Sequence, residues 1–295
     1  DHRQKNSDEG RSINLALSTR GIRSLQEVGV FDQVKEIAIP MHGRMMHDKT
    51  GTLSFLPYGA TGQYINSISR SGLNKVLIDH AEQLGVRFQF QHRCVAVDLQ
   101  NTAATFQAGD RESFRQTFDL LVGADGAFSA VRSAMQITDR FDYSQYYLEH
   151  GYKELEIPSV GGRAVFEKHA LHIWPRESFM MIALPNPDET FTCTLFLPFE
   201  GEPSFASLSD QSQVLRFFEK VFPDAMATMP MLKEDYERNP TSSLVTIRCF
   251  PWTRYKTFLV GDAAHGIVPF YGQGMNAGFE DCRILNELLD QYQDD

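Results

Sequence analysis

The chain contains 295 residues, of which 42% are hydrophobic, and this length suits about two domains with a sizeable core. Its net charge of −10 argues against a nucleic-acid-binding protein, because such proteins usually carry a basic face. The four cysteines form no CxxC pair and no apolar run approaches the roughly 20 residues of a membrane span, so the sequence indicates neither a zinc site, a disulfide framework nor a membrane segment.

The first part of the chain predicts alternating helices and strands. Residues 13–34 read as an extended segment and then a helix that Ser18 or Thr19 could cap. A strand pair is predicted at 41–48 and 51–59. Residues 69–86 have a helical pattern that ends at Gly85, and residues 86–100 and 104–108 alternate like strands.

The second part predicts an antiparallel sheet between strand–helix units. Residues 117–135 read as a strand, a glycine-containing turn and a helix, whereas residues 151–200 read as an antiparallel meander. A helix at 213–226 and a strand at 243–250 come next. Because strand–helix units lie on both sides of the meander, the helical domain is expected to be discontinuous in sequence.

Residues 258–282, FLVGDAAHGIVPFYGQGMNAGFEDC, begin as an apolar strand that ends in Gly261 and Asp262. The carboxyl edge of an open α/β sheet is where ligands bind. Gly261 lets the backbone pass close to a ligand, and Asp262 could accept hydrogen bonds from a hydroxylated one, such as a ribityl chain. The alternative is that Asp262 only caps the alanine-rich segment after it.

A second glycine cluster in this stretch is predicted to open a helix. Met275, Phe279 and Cys282 come after Gly272 and Gly274 at helical spacing, so the glycines belong at the helix N-terminus. That end carries free N–H groups and a partial positive charge. An isoalloxazine ring that becomes negative on reduction and a phosphate group would both suit it.

Two further elements give weaker signals. LLVGADGAFSAVR (120–132) is another apolar strand that ends in a tight turn at Asp125 and Gly126, and Arg132 could orient Asp125 or meet a phosphate. Arg70 stands just before a helix, where it could meet a pyrophosphate. A purely structural turn at Asp125 and a solvated surface Arg70 are the alternatives.

The order GADG…R, then GDAAH, then PxxGQGMN resembles the single-component flavin-dependent aromatic hydroxylases. The resemblance implies an α/β fold: an FAD-binding Rossmann-like domain of the GR2 type with an inserted antiparallel-sheet substrate domain. It places the FAD-binding domain at 1–38, 66–134 and 246–295, and the substrate domain at 39–65 and 135–245. The family begins with a strand–GxGxxG–helix unit and ends in helices that close the substrate pocket. Neither is found here, so the sequence is expected to be a fragment.

Further motifs are similar to the branch of this family that hydroxylates kynurenine. They are GRSINLALSTRG (10–21), GRMMH (43–47), LPYG (56–59), FDYSQYYLEHGYKELEIP (141–158), LHIWP (171–175) and FMMIALPN (179–186). The resemblance implies FAD- and NADPH-dependent conversion of L-kynurenine and O2 to 3-hydroxykynurenine through a C4a-hydroperoxyflavin. It implies a cytoplasmic protein in bacteria, or one anchored to the mitochondrial outer membrane in eukaryotes.

The resemblance also implies the site residues. In the substrate site, Arg44 and Tyr58 would clamp a carboxylate across the strand pair, and apolar residues would wall the aromatic ring. The predicted wall consists of Leu171, Met180, Ile182, Leu184 and Phe196, with Pro269 and Phe270 near the flavin. The predicted FAD contacts are Arg70, Asp125, Gly261, Asp262, Gly272, Gly274, Met275 and Asn276.

No general base is assigned, because the aniline nitrogen of kynurenine already activates the carbon beside it, and His265 is expected to be structural. Tyr271 departs from the His or Phe expected after Pro-Phe in relatives. No second dinucleotide fold is predicted, so NADPH is expected to bind transiently on the surface. The alternatives are a flavin hydroxylase or epoxidase of another aromatic or lipid substrate, and a non-catalytic flavoprotein-like binding module.

Overall fold

A computed structural model describes residues 14–60, 62–109 and 112–292. The polar opening of the chain and the first residues of the motif at 10–21 lie outside this part. The described strands are β1 (Asn14–Leu17), β2 (Ala38–Met41), β3 (Gly43–His47), β4 (Leu53–Pro57), β5 (Ile65–Ser69), β6 (His92–Asp98), β7 (Ala103–Ala108), β8 (Phe114–Thr117), β9 (Leu121–Gly123), β10 (Asp142–Ile157), β11 (Ala170–Arg176), β12 (Phe179–Pro185), β13 (Phe191–Pro198), β14 (Ser242–Phe250), β15 (Thr253–Arg254), β16 (Thr257–Leu259) and β17 (His265–Gly266).

The helices are mostly short, and two 3₁₀ turns lie between β16 and the last helix. The described α-helices are α1 (Thr19–Glu27), α2 (Phe31–Glu36), α3 (Arg70–Gln83), α4 (Ala130–Gln136), α5 (Gln211–Val221), α6 (Pro223–Met226), α7 (Leu232–Arg238) and α8 (Gly274–Gln291). The 3₁₀ turns span Gly261–Ala263 and Pro269–Tyr271. Within the described residues, none of these helices combines the length and the hydropathy needed to span a membrane.

The largest sheet has eight strands in the order β17-β14-β10-β13-β12-β11-β3-β4. Neighbouring strands run antiparallel except β11 and β3, which are parallel. The predicted strand pair at 41–59 is confirmed as β3 and β4. The predicted meander is confirmed for β11, β12 and β13. Strand β10 pairs with the other edge of β13, and so lies between β13 and β14.

One face of this sheet carries most of the hydrophobic core. Inward-facing side chains such as Trp174, Met181 and Leu195 pack with Phe218 and Phe222 from the α5–α6 segment, and all five are buried. The residues that alternate with them point to the opposite face, as the pleat of a strand requires. The helices α5, α6 and α7 pack on the first face only, and the second face, although several of its side chains are also buried, is called the uncovered face below.

A buried polar network fixes β3 against β11 on the covered face. His47 Nε2 lies 2.8 Å from His172 Nδ1, and His47 Nδ1 lies 2.5 Å from an oxygen of Asp224. Trp174 Nε1 donates to the same carboxylate at 3.0 Å. Burial lowers the pKa of His172 to about 4, so this imidazole is neutral at physiological pH. These bonds hold the strand that carries Arg44 in its register.

The described residues also form three sheets of three strands each, and one of them carries two of the turns in the candidate site. Their orders are β1-β5-β2, β6-β7-β8 and β15-β16-β9. Strands β9 and β16 are parallel neighbours, with Leu259 opposite Gly123. Since the carboxyl ends of parallel strands meet at one sheet edge, the turns that carry Asp125 and Asp262 lie side by side.

Three local predictions were wrong in detail. The helix predicted within 18–34 is divided into α1 and α2, because Gly29 adopts φ 74° and exposes Val28. The helix predicted at 213–226 divides at Phe222, since the residue before Pro223 is held out of the helical region. Residues 86–91 form no strand; pairing begins only at β6. The domain boundaries stay a prediction.

Candidate functional site

Asp262 lies in the turn after β16, where it is exposed and its carboxylate accepts no hydrogen bond from the described residues. No side chain caps the 3₁₀ turn Gly261–Ala263, and none of the described residues donates a hydrogen bond to the Asp262 carboxylate. The alternative that Asp262 caps the following segment is therefore not supported. Although the residue is exposed, nearby protein atoms desolvate its carboxyl group and raise its pKa, while the charges of His265 and Arg70 oppose that rise.

The turn after β9 uses its aspartate within the protein. The Asp125 carboxylate accepts from Ser129 Oγ at 2.5 Å and from the backbone N–H groups of Ala130 and Val131 at 2.7 and 3.3 Å. The two N–H groups belong to the first turn of α4 and have no acceptor within the helix, so Asp125 stabilises the beginning of that helix. Its predicted effect on cofactor binding would then be indirect, because Asp125 sets the shape of the loop rather than offering its carboxylate to a ligand.

Arg132 does not orient Asp125, and this prediction was wrong. The side chain is 2% exposed, and its Nη1 and Nη2 donate to the carbonyl oxygens of Ala263 and Ala127 at 2.9 and 2.5 Å. The guanidinium also stacks on the ring of Tyr143, 5.1 Å from its centroid. Arg132 therefore connects the loop after Asp125 to the turn that carries Asp262.

Arg70 is close enough to Asp262 for its charge to act on that carboxyl group. It is the first residue of α3, and the preceding residue, Ser69, caps that helix by accepting from the N–H of Gly72. The Arg70 side chain is exposed, and its positive charge lowers the pKa of Asp262. The structure thus brings together two predicted contacts that are 192 positions apart in sequence (262 − 70).

The N-terminus of α8 forms as predicted from its glycines. Gly272 adopts φ 61°, which favours glycine, and α8 begins at Gly274. A side chain at 272 would meet Ala16 Cβ at 2.9 Å, whereas a Cβ on Gly274 would meet nothing within 4 Å. The first N–H groups of α8 have no partner inside the helix, so this end offers donors and a partial positive charge beside open space.

The side chain of Asn276 anchors this helix end to neighbouring backbone and does not face a ligand. The residue is fully buried; its Oδ1 accepts from the N–H of Ser18 at 2.9 Å, and its Nδ2 donates to the carbonyls of Ala16 and Gly272 at 2.8 and 3.0 Å. Both amide hydrogens are therefore already used. Met275 is half-buried and packs on the cluster around Leu17.

The predicted substrate residues share the uncovered face of the large sheet. In the strand pairing, Leu171 stands opposite Arg44, Met180 opposite Phe196, and Ile182 opposite Ile173. Leu184 lies two residues beyond Ile182, so it belongs to the same face. The predicted sharing of one face by residues 180, 182 and 184 is confirmed.

Arg44 and Tyr58 meet as expected. The guanidinium carbon lies 4.9 Å from the centroid of the Tyr58 ring, and Arg44 remains exposed at the edge of the apolar face. Burial raises the pKa of Tyr58, although Arg44 opposes that rise. The phenol consequently keeps its proton at neutral pH and can donate a hydrogen bond next to a cation.

The turn Pro269–Tyr271 joins this face to the N-terminus of α8. The ring of Phe270 packs edge-to-face on Phe196, with centroids 5.2 Å apart. Pro269 is exposed beside it, and Tyr271 is 83% exposed. The apolar face, the glycine-rich helix end and the turn with Asp262 therefore form one continuous region.

An acidic cleft of about 440 Å³ lies at the other end of the uncovered face. It is lined by Ser69, Glu154, Leu155, Glu156, Asn186, Pro187, Asp188, Thr190 and Thr192. Glu156 pairs with Thr192, which pairs with Leu184, so two strands separate the two glutamates of β10 from the strand that holds Leu171, whereas Asp188 lies in the turn between β12 and β13. Three carboxylates disfavour an anionic ligand, so this cleft does not suit the carboxylate that was predicted to bind at Arg44.

Sequence reasoning missed Asp281. Its Oδ2 accepts from the N–H of Gly261 at 2.8 Å and lies 2.6 Å from Nε2 of His265. This hydrogen bond raises the pKa of His265, and burial opposes it. The available signal was spacing: Asp281 comes three residues after Gly278, so both occupy the α8 face that contacts the Gly261–Ala263 turn.

These residues fit FAD. Asp262 offers an acceptor that no described residue uses, which suits the hydroxyls of a ribityl chain. The start of α8 offers donors beside open space, which suits the pyrimidine edge of the ring. Arg70 adds an exposed cation nearby, as a pyrophosphate requires.

Known proteins resemble this chain over almost its whole length. The chain is 52% identical over 291 residues to a kynurenine 3-monooxygenase of Flavobacterium johnsoniae, covering 97% of this chain and 65% of that protein. It is 50% identical over 297 residues to a kynurenine 3-monooxygenase of Dictyostelium discoideum, covering 99% of this chain and 63% of that protein. The chain therefore spans slightly less than two thirds of the length of these curated relatives.

Solved structures share the fold at lower identity. A tetrameric form of 2-methyl-3-hydroxypyridine-5-carboxylic acid oxygenase superposes with a TM-score of 0.78 at 23% identity, covering 98% of this chain and 75% of that one. The FAD binding domain family matches residues 1–292. A match over nearly the whole chain decides the assignment: this chain belongs to the FAD binding domain family.

Proposed function

We propose that this chain forms the FAD-binding and substrate-binding part of an NADPH-dependent monooxygenase that hydroxylates L-kynurenine at the 3-position. The observation that carries this proposal is the Arg44–Tyr58 pair at the edge of an apolar sheet face, 4.9 Å from guanidinium carbon to ring centroid. The bacterial and Dictyostelium relatives, which are called kynurenine 3-monooxygenases, support the choice of substrate.

The substrate clamp is explained by the chemistry of kynurenine. Its carboxylate suits the guanidinium of Arg44, which can donate two parallel hydrogen bonds. Tyr58 adds a third donor, because its raised pKa keeps the phenol protonated. The aniline ring then lies along the apolar residues of β12 and β13, where Met180, Ile182 and Phe196 exclude water.

The residues around the cofactor position it and support its charge. Bound FAD, once reduced by NADPH, activates O2 for transfer of one oxygen atom to the aromatic ring. Asp262 would hold the ribityl hydroxyls, and the N-terminus of α8 at Gly274 would stabilise negative charge on the flavin ring. Phe270 packs on Phe196 of the substrate wall just before this helix begins, so it would help to position the substrate relative to the flavin.

The direct test uses the protein as its gene encodes it. We expect L-kynurenine to accelerate NADPH oxidation and 3-hydroxykynurenine to accumulate, as measured by absorbance at the NADPH band and by mass spectrometry. NADPH oxidation that yields only hydrogen peroxide with every aromatic amino acid offered would overturn the substrate assignment. A product panel that includes other aromatic carboxylic acids separates kynurenine from an alternative aromatic substrate. A neutral lipid would gain nothing from Arg44.

A variant pair tests the clamp itself. Arg44→Ala removes the carboxylate partner, so KM for kynurenine should rise by about 10-fold or more, the usual worth of a charged hydrogen-bonded pair. FAD affinity should stay unchanged. The matched control is Arg115→Ala on β8, because Arg115 is exposed and its ion-pair partner in the described part of the chain is Asp98. Loss of FAD from Arg44→Ala would place Arg44 in the cofactor site and contradict the proposal.

A further inference from the structure

The turn Gly261–Ala263 is held from both sides by charged side chains of opposite sign. On one side, the N–H of Gly261 donates to Oδ2 of Asp281 on α8 at 2.8 Å. On the other, the carbonyl of Ala263 accepts from Nη1 of Arg132 on α4 at 2.9 Å. Asp262 stands between these two fixed backbone groups.

The side that belongs to α8 is closely packed. A Cβ built on Gly278 would lie 3.5 Å from Cα of Gly261, so the two backbones pass close together. Asp281 lies one helical turn further on and also bonds His265, which comes just after the turn. The contact with Asp281 therefore fixes both the entry to the turn and its exit.

The side that belongs to α4 depends on a buried cation. Arg132 is 2% exposed, and no carboxylate of the described residues lies within ion-pair distance of it. Its two terminal nitrogens donate to backbone carbonyls instead, those of Ala263 and Ala127. Hydrogen bonds to a charged donor are stronger than neutral ones, so Arg132 restrains both segments.

The position of Asp262 depends on these contacts. Because no described residue donates to its carboxylate, no hydrogen bond holds the side chain, and the backbone of the turn sets the direction in which it leaves the chain. We propose that Asp281 and Arg132 are positioning residues for Asp262, which together aim its carboxylate at the hydroxyl groups of the flavin chain. This inference rests on the proposed role of Asp262 in binding FAD.

A double-mutant cycle tests the inference through FAD affinity. Apoprotein of the complete gene product is titrated with FAD, and the dissociation constant is read from the quenching of flavin fluorescence. Asp281→Ala should weaken binding about 10-fold in the wild-type background and by less than about 2-fold when Asp262→Ala is already present, because residues that act through one contact are not additive. Arg132→Gln should behave in the same way.

The controls separate positioning from folding. Asp290→Ala changes an exposed acid of the same helix whose hydrogen-bond partner among the described residues is Asn286, and it should leave FAD affinity unchanged. Asp281→Asn keeps an oxygen for the Gly261 N–H and should recover most of the affinity lost by Asp281→Ala, which loss of fold would not allow. Unfolding midpoints without FAD are measured in parallel for every variant.

Two outcomes overturn the inference in different ways. If Asp281→Ala and Arg132→Gln weaken binding equally with and without Asp262, they act on the fold or on another contact, and only the positioning role falls. If Asp262→Ala leaves FAD affinity unchanged, the assignment of Asp262 to the flavin fails, and the positioning role fails with it. Absence of FAD binding by the unmodified protein would count against the proposed function as a whole.

Discussion

Asp125 and Asp262 come after neighbouring parallel strands, yet the structure uses them differently. Both are exposed residues that lie two or three positions after the last paired residue of β9 or β16. Asp125 accepts three hydrogen bonds from the start of α4. The carboxylate of Asp262 receives none from the described residues. One carboxylate is satisfied inside the protein, and the other keeps the free acceptor that the proposed flavin contact needs.

The difference comes from the segment that lies C-terminal to each aspartate. After Asp125, Gly126 adopts φ 81° and turns the chain so that α4 begins within reach of the carboxylate. After Asp262, the chain enters two buried alanines and the short strand β17, so no helix N-terminus is available. Similar strand–Gly–Asp sequences therefore differ in role according to whether a helix starts a few residues later.

The first prediction tests the structural side of this comparison and has the largest expected effect. Asp125→Ala leaves Ser129 Oγ and two helix N–H groups without their acceptor, so the free energy of unfolding should fall by about 2 kcal/mol, the upper range for loss of a helix cap. Urea unfolding of the apoprotein measures this. Asp119→Ala, at an exposed acid just before β9, is the control and should change stability little. An unchanged midpoint for Asp125→Ala would remove the distinction between the two turns.

The second prediction tests the ligand side. Asp262→Ala should weaken FAD binding about 10-fold, because it removes an acceptor for the ribityl hydroxyls. The same variant should change the unfolding free energy of the apoprotein by less than about 0.5 kcal/mol, since no described group bonds to that carboxylate. Fluorescence titration and urea unfolding give the two numbers. Destabilisation as large as that of Asp125→Ala would mean that Asp262 has a structural partner.

The sequence predicted the positions of these features better than their partners. Hydrophobic alternation placed residues 180, 182 and 184 on one face, and the glycines placed the start of α8, because both depend on local chain geometry. The bonds of Asn276 to Ser18 and Ala16, and of Arg132 to Ala263, join segments more than 130 positions apart. Local patterns carry no information on such contacts, so Asn276 looked like a cofactor ligand and Asp281 was missed.

The third prediction has the smallest effect and concerns pH. The hydrogen bond that His265 donates to Asp281 raises the pKa of this histidine above its usual 6.5. The charged pair therefore stabilises the fold fully below pH 6.5, and this contribution is lost as pH rises through the higher folded value. The turn at Asp125 has no such histidine. Wild-type protein should therefore lose up to about 1 kcal/mol between pH 6 and pH 9 relative to His265→Gln, which does not titrate. Asp125→Ala should keep the wild-type pH difference. Urea unfolding at both pH values measures it, and equal pH dependence in wild type and His265→Gln would show that the pair beside Asp262 is not charged.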